Sequence, residues 1–148
     1  MVFETLDWAR LFELANAAVL PAWLYLLVGP RSIHWLNVVA QYIWPAGLAL
    51  AYALIVIPQL GSLDFSNFGS LDGVQSMLSN DAGMTAGWLH YLAFDLFVGG
   101  WIARQADKAG WHRIAQVPVL LATFMLGPLG LLIYLGVQAG RRRLESLQ

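Results

Sequence analysis

The window from Met84 to Arg104 is apolar and long enough to cross a bilayer, yet it holds Asp95 near its midpoint. His90 lies five residues earlier, and Arg104 closes the window. At 1.5 Å per residue such a helix covers roughly 30 Å, the thickness of a hydrocarbon core. A carboxylate at that depth costs at least ~2.5 kcal/mol, so it faces protein or trapped water and has a partner. The fold this allows is a helical bundle with a polar interior, and the remaining apolar segments read as walls around this one.

Composition points the same way. Of 148 residues, 59% are hydrophobic and 11% charged, where soluble domains carry about 25% charged residues. The reading is a single integral membrane domain over 1–148. A net charge of −1 leaves no basic excess for nucleic acid. The chain has no cysteine, which excludes disulfides, thiolate metal sites and cysteine nucleophiles. It also shows no phosphate-binding loop, dinucleotide fingerprint, nucleophile elbow or zinc-spaced histidine pair, so no metal and no cofactor is expected. The opening Met1-Val-Phe-Glu4-Thr-Leu-Asp7 is acidic where a signal peptide is basic, so the first segment is expected to stay in the membrane.

Four spans are expected, at about 11–28, 37–57, 84–104 and 115–137. Pro21 should kink the first, which stops at Gly29-Pro30-Arg31. Pro118 and Gly127-Pro128-Leu129-Gly130 should break or bend the fourth near its centre. Within the polar stretch 59–83, Ser70 is a good N-cap for a short helix lying flat at the interface. The expected fold class is therefore all-α: an integral membrane four-helix bundle with kinked spans and a short interfacial helix in the central loop. Four crossings put both termini and the long loop on one side. Lys and Arg then divide evenly, with Arg10 and Arg141 to Arg143 facing Arg31, Arg104, Lys108 and Arg113. The positive-inside rule gives no orientation for such a tie.

Helical geometry separates the polar groups of the central window. His90, Phe94, Trp101 and Arg104 fall on one face, and Trp88, Tyr91, Asp95, Gly99 and Ile102 on a neighbouring one. His90 and Asp95 stand ~140° apart around the axis, so each meets other helices or a ligand rather than the other. Three readings compete. Asp95 can be glue that fixes helix register, bonded to Asn16 or a tyrosine hydroxyl. Asp95 and His90 can be a catalytic acid–base pair. Or Asp95, His90 and Arg104 can be steps in a proton or ion path. Around the catalytic pair, the candidate substrate-binding residues are Asn16, Trp88, Tyr91, Trp101, Arg104 and Arg31.

The motifs Leu20-Pro21-Ala-Trp23, Gly29-Pro-Arg31, Gly87-Trp-x-His90-Tyr-Leu-Ala-Phe-Asp95-Leu-Phe-Val-Gly99, Trp101-Ile-x-Arg104 and Gly127-Pro-x-Gly130 resemble those of the abscisic-acid-deficient-four-like family over nearly the whole chain. Plant members reside in plastid membranes and are required for making neoxanthin from violaxanthin. With no transit peptide in view, the resemblance implies a bacterial member in the inner (plasma) membrane. It implies a cofactor-independent isomerase of an epoxycarotenoid or related isoprenoid. Such a reaction needs an acid for the epoxide oxygen and a base for the adjoining polyene carbon, and Asp95 and His90 are the residues offered. The alternative is a non-catalytic pigment- or lipid-binding membrane protein that supports a partner enzyme. Expected partners are a carotenoid or isoprenoid, membrane lipid, and either a second copy of the chain or a partner membrane enzyme.

Overall fold

The computed structural model describes residues 6–146, and among them every regular element is helical. Helix α1, Trp8–Val28, starts where the Asp7 carboxylate accepts the Arg10 amide at 3.0 Å. It runs through Pro21 without a break. The indole Nε1 of Trp44 donates to the Ala18 carbonyl at 2.6 Å, in the turn where the proline weakens the backbone ladder. The second long helix is continuous over residues 34–62 but changes pitch along the way. It comprises α2 (His34–Val38), a π turn (Val39–Ile43), α3 (Trp44–Val56) and a 3-10 end (Ile57–Ser62). The Trp44 amide reaches back to the Val39 carbonyl, five residues earlier, and this bond defines the π turn.

The central loop holds α4, Leu71–Leu78, capped by Ser70 as its sequence leads one to expect, with Ser70 Oγ accepting the Gly73 amide at 3.1 Å. Asn80 caps α5, Asp81–Lys108, which is the axis of the bundle. Leu89, Leu96, Ile102, Ala103 and Ala106 of α5 are all buried. α1 runs parallel to α5, with Asn16 beside Trp88, Trp23 against Gly99, and Arg31 beyond its end beside Asp107. α3 runs antiparallel on another side, with Tyr52 beside His90 and Tyr42 beside Phe97. A Cβ on Gly99 would collide with the Trp23 ring, so that crossing requires glycine.

The expected fourth span differs. α6 (Arg113–Leu126) and α7 (Pro128–Glu145) do not continue one another. They fold back at Gly127, whose φ of +42° and ψ of −95° suit glycine. Gly130 packs directly on the backbone of Thr123. Ile133 and Val137 lie along Ala115, Pro118 and Val119, and the Arg141 guanidinium sits 5.6 Å over the Trp111 ring, back at the start of α6. The segment is a helical hairpin with its tip beside the midpoint of α5. A glycine followed by proline reads equally as a kink or a reversal, and the packing against α5 decides for reversal.

Two expectations change with it. α7 ends beside the 105–113 turn, at the end of the bundle opposite the central loop. Arg141 to Arg143 therefore join Arg31, Arg104, Lys108 and Arg113, and the even division of Lys and Arg becomes seven against Arg10 alone. Among the described residues, only α1 and the 34–62 helix are long and apolar enough to cross a membrane on their own. α5 has the length at 28 residues, but its polar residues and glycines keep it below that apolarity.

Because the chain lacks cysteine, the hairpin can be tested without background. Ala115→Cys together with Val137→Cys should cross-link efficiently with a short bifunctional maleimide. In a straight span the two would lie ~33 Å apart, and no cross-link would form.

Candidate functional site

α5 presents two unlike faces. Towards α1 and the hairpin, Trp88 Nε1 donates to Asn16 Oδ1 at 3.0 Å, and Asn16 Nδ2 donates to the Phe12 carbonyl at 2.9 Å. The Trp88 ring stacks on Tyr91 at 5.3 Å and leans on Phe12 at 5.4 Å. Tyr91, one turn before Asp95, interacts with its carboxyl. Asp95 points into protein, at the hairpin tip. A Cβ added to Gly127 would stand 2.7 Å from Asp95 Oδ1 and 2.9 Å from Oδ2. Asp95 Oδ2 is buried with no hydrogen-bond partner among the described residues. The partner expected for it from another helix is replaced by Tyr91 of its own helix and the backbone of the hairpin tip. Trp101 also turns to this side, edge-on to Tyr134 at 5.4 Å.

Towards α3 lies an aromatic ladder. The His90 ring sits 4.6 Å from Phe94 and 5.8 Å from Tyr52. Tyr42 meets Phe97 edge-on at 6.5 Å, and the Arg104 guanidinium lies 5.2 Å over the Tyr42 ring. Between the helices these side chains leave an apolar cavity of about 330 Å³, floored by Pro45, Ala46, Ala49 and Ala93. Small residues on facing helices make the room. His90, exposed, stands one turn from Phe94, with its ring against that wall of the groove.

At the basic end a polar cluster ties the turns together. The free carbonyls ending α1 are capped by two arginines. Arg113 Nη2 donates to Gly29 O at 3.0 Å and Leu27 O at 3.3 Å, and Arg31 Nη2 donates to Leu26 O at 3.0 Å. Asp107 bridges the arginine and glutamine side chains, with Oδ2 3.1 Å from Arg31 Nε and Oδ1 accepting from Gln116 Nε2 at 2.7 Å. Gln116 is only 1% exposed. Burial and the charge of Arg113 lower the pKa of Arg31, and Asp107 offsets part of that. Asn37 Nδ2 donates to the Arg31 carbonyl at 2.8 Å, and the Tyr25 hydroxyl lies 2.9 Å from Asn37 Oδ1.

The candidate residues therefore fall into three groups. Asn16, Trp88, Tyr91 and Asp95 line one side of α5, with Trp101 further along it. His90 lies on the other side, against Phe94 and Tyr52. Arg31 and Arg104 meet at the basic end. Asp95 and His90 are not brought together. The sequence reading missed Asp107, Arg113, Gln116 and Asn37, whose only signal was a short charged loop. It also missed the groove, whose signal was the small residues Pro45, Ala46 and Ala49.

A protein-family model described as ABA DEFICIENT 4-like matches residues 10–134. No curated protein and no solved structure gives a match.

Gly127→Ala should be costly, because it combines a strained backbone with a collision at the Asp95 carboxylate. A loss of about 1–3 kcal/mol is expected, read as a lower thermal midpoint in detergent. Gly47→Ala, with open space around its Cβ position, should leave the midpoint unchanged or raise it.

Proposed function

Because the chain belongs to the ABA DEFICIENT 4-like family, we propose that it is an integral membrane protein that modifies a carotenoid or related isoprenoid held between α3 and α5. The observation that carries this is the apolar, aromatic-walled groove of Tyr42, Phe94 and Phe97, which suits a polyene and has the His90 ring against its Phe94 wall. The surface supports membrane residence. Leu24, Leu54 and Leu132 are each more than 60% exposed, and such breadth of exposed apolar side chain suits lipid rather than water. For a bacterial member the membrane is the plasma membrane.

The proposed reaction is a cofactor-independent isomerisation of an epoxide end ring to a hydroxylated allene. A proton leaves the polyene carbon, the ring C–O bond breaks, and the oxygen takes up a proton, so nothing is oxidised or reduced overall. An imidazole has one ring nitrogen that accepts a proton and one that donates, so in this reading His90 is the proton-transfer residue. Water must be kept out to prevent hydrolysis to a diol, and an apolar groove inside a bilayer does so. Asp95 opens on the far side of α5, so its role in this reading is to seat the hairpin tip. Trp88 and Asn16 fix α1 against α5, a contact of about 0.6 kcal/mol by the usual value for such intramembrane bonds.

A second reading is a pigment- or lipid-binding protein that supports a partner enzyme or assembles with a second copy. It is favoured by the groove itself, whose lining is almost wholly apolar. Purified protein offered an epoxycarotenoid in micelles separates the two. Turnover by the protein alone supports the isomerase, and retention of pigment without turnover supports the second reading. If the isomerase holds, His90→Gln should lower the rate by roughly 10²–10⁴-fold. Asp95→Asn, which keeps the shape of the carboxyl, should stay within about tenfold of wild type. An equal loss in Asp95→Asn at unchanged stability would move the chemistry to the carboxylate.

The charge division of seven against one supports an orientation with the basic end towards the cytoplasm. Single cysteines at Lys108 and Ser146 should react with an impermeant maleimide from the cytoplasmic side, and one at Ser66 only from the other. Agreement of Ser66 with Ser146 against Lys108 would restore a four-crossing topology.

A further inference from the structure

We propose that the cavity at the basic end binds the phosphate of an amphiphile whose hydrocarbon runs into the apolar groove between α3 and α5. This cavity, about 560 Å³, is walled by Arg31, Asn37, Gln41, Arg104 and Asp107, and Tyr42 lines both it and the groove. The two spaces meet at that ring, with the Arg104 guanidinium over it. From Arg104 to Phe94 along α5 is ~15 Å, so one molecule can present its head at one end and its chain at the other.

The donors there are in excess. Asp107 is already engaged on both oxygens, by Arg31 Nε and by Gln116. Arg31 Nη1 and Arg104 Nε are buried with no hydrogen-bond partner among the described residues. Buried guanidinium N–H groups without acceptors are costly and uncommon, and a phosphate oxygen is the acceptor their fork geometry suits best. Burial beside Arg113 lowers the Arg31 pKa, as expected where cations crowd without enough anions, and a bound phosphate would relieve it. The π turn contributes Gln41 and Tyr42, and its extra residue turns both towards α5, where Gln41 packs on Gly100.

A phosphate on a hydrocarbon comes from a bilayer phospholipid or from a prenyl diphosphate. The proposal shares the α3–α5 groove with the isoprenoid reading but rests on Arg31 and Arg104 rather than His90, so failure of phosphate binding and failure of the reaction are read separately. Native mass spectrometry of the detergent-solubilised full chain should show retention of phosphatidylglycerol, geranylgeranyl diphosphate, or both. Diacylglycerol and geranylgeraniol, which lack the phosphate, should be retained poorly. Arg104→Gln should weaken retention of the phosphorylated probes by about tenfold or more, the worth of one charge-assisted bond. Arg104 makes fewer structural contacts than Arg31, and a wild-type thermal midpoint will confirm that this variant is folded. Should it not fold, Tyr42→Leu, which removes the platform under Arg104, should show the same selective weakening. Tighter retention of the lipid identifies a bilayer component as the occupant, and tighter retention of the diphosphate a prenyl substrate. Equal retention of the phosphate-free counterparts, or unchanged binding in the folded variant, would overturn the proposal.

Discussion

The packing of the Asp95 carboxyl against Gly127 is the contact on which the rest of the arrangement turns. It places the tip of the α6–α7 hairpin at the midpoint of α5. That turns α7 back towards the basic end and closes one side of α5 against ligand. The carboxyl leaves no room for a side chain at Gly127, and the backbone there adopts a conformation that only glycine holds comfortably. With one side of α5 sealed by α1 and the hairpin, the other faces α3 across small residues. There the groove forms.

That division separates two kinds of polar residue that look alike in sequence. Asn16, Trp88 and Asp95 are drawn into helix-to-helix contacts, where a polar group is satisfied by protein and fixes register. His90 and Arg104 stand outside an open groove, each against one of its aromatic walls, Phe94 and Tyr42. Groups of the first kind lower the cost of their own burial, whereas groups of the second kind are available to a ligand.

Much of the helical plan was legible in the sequence. Ser70 announced α4 by its capping chemistry, Gly29-Pro30 ended α1, and Gly127-Pro128 marked a discontinuity, whereas the Asn80 cap that starts α5 before Met84 went unread. The direction taken after that discontinuity was not legible, because a kink and a reversal share the same local signals and only the packing on α5 chooses. The π turn at Val39–Ile43 has no local signature either, since its extra residue is stabilised by the side chains it meets across the bundle. The basic-end cluster joins Arg31, Asp107, Arg113 and Gln116 from the 29–33 turn, the end of α5 and the start of α6, and no spacing rule links them. Helical periodicity did separate His90 from Asp95, and the structure keeps them on different sides. It grouped Trp101 with His90, but that ring turns to the hairpin because Tyr134 offers it an edge-on partner.

The central claim is that the α3–α5 groove is where an isoprenoid is held. Ala49 lines it and is exposed, so a large side chain at that position fills the groove without entering the core. Ala49→Trp, purified from a carotenoid-producing host, should melt at the wild-type temperature and carry less than about a tenth of the isoprenoid that wild type retains, a loss of some 1.4 kcal/mol in binding. Wild-type pigment content in the folded Ala49→Trp protein would contradict the account.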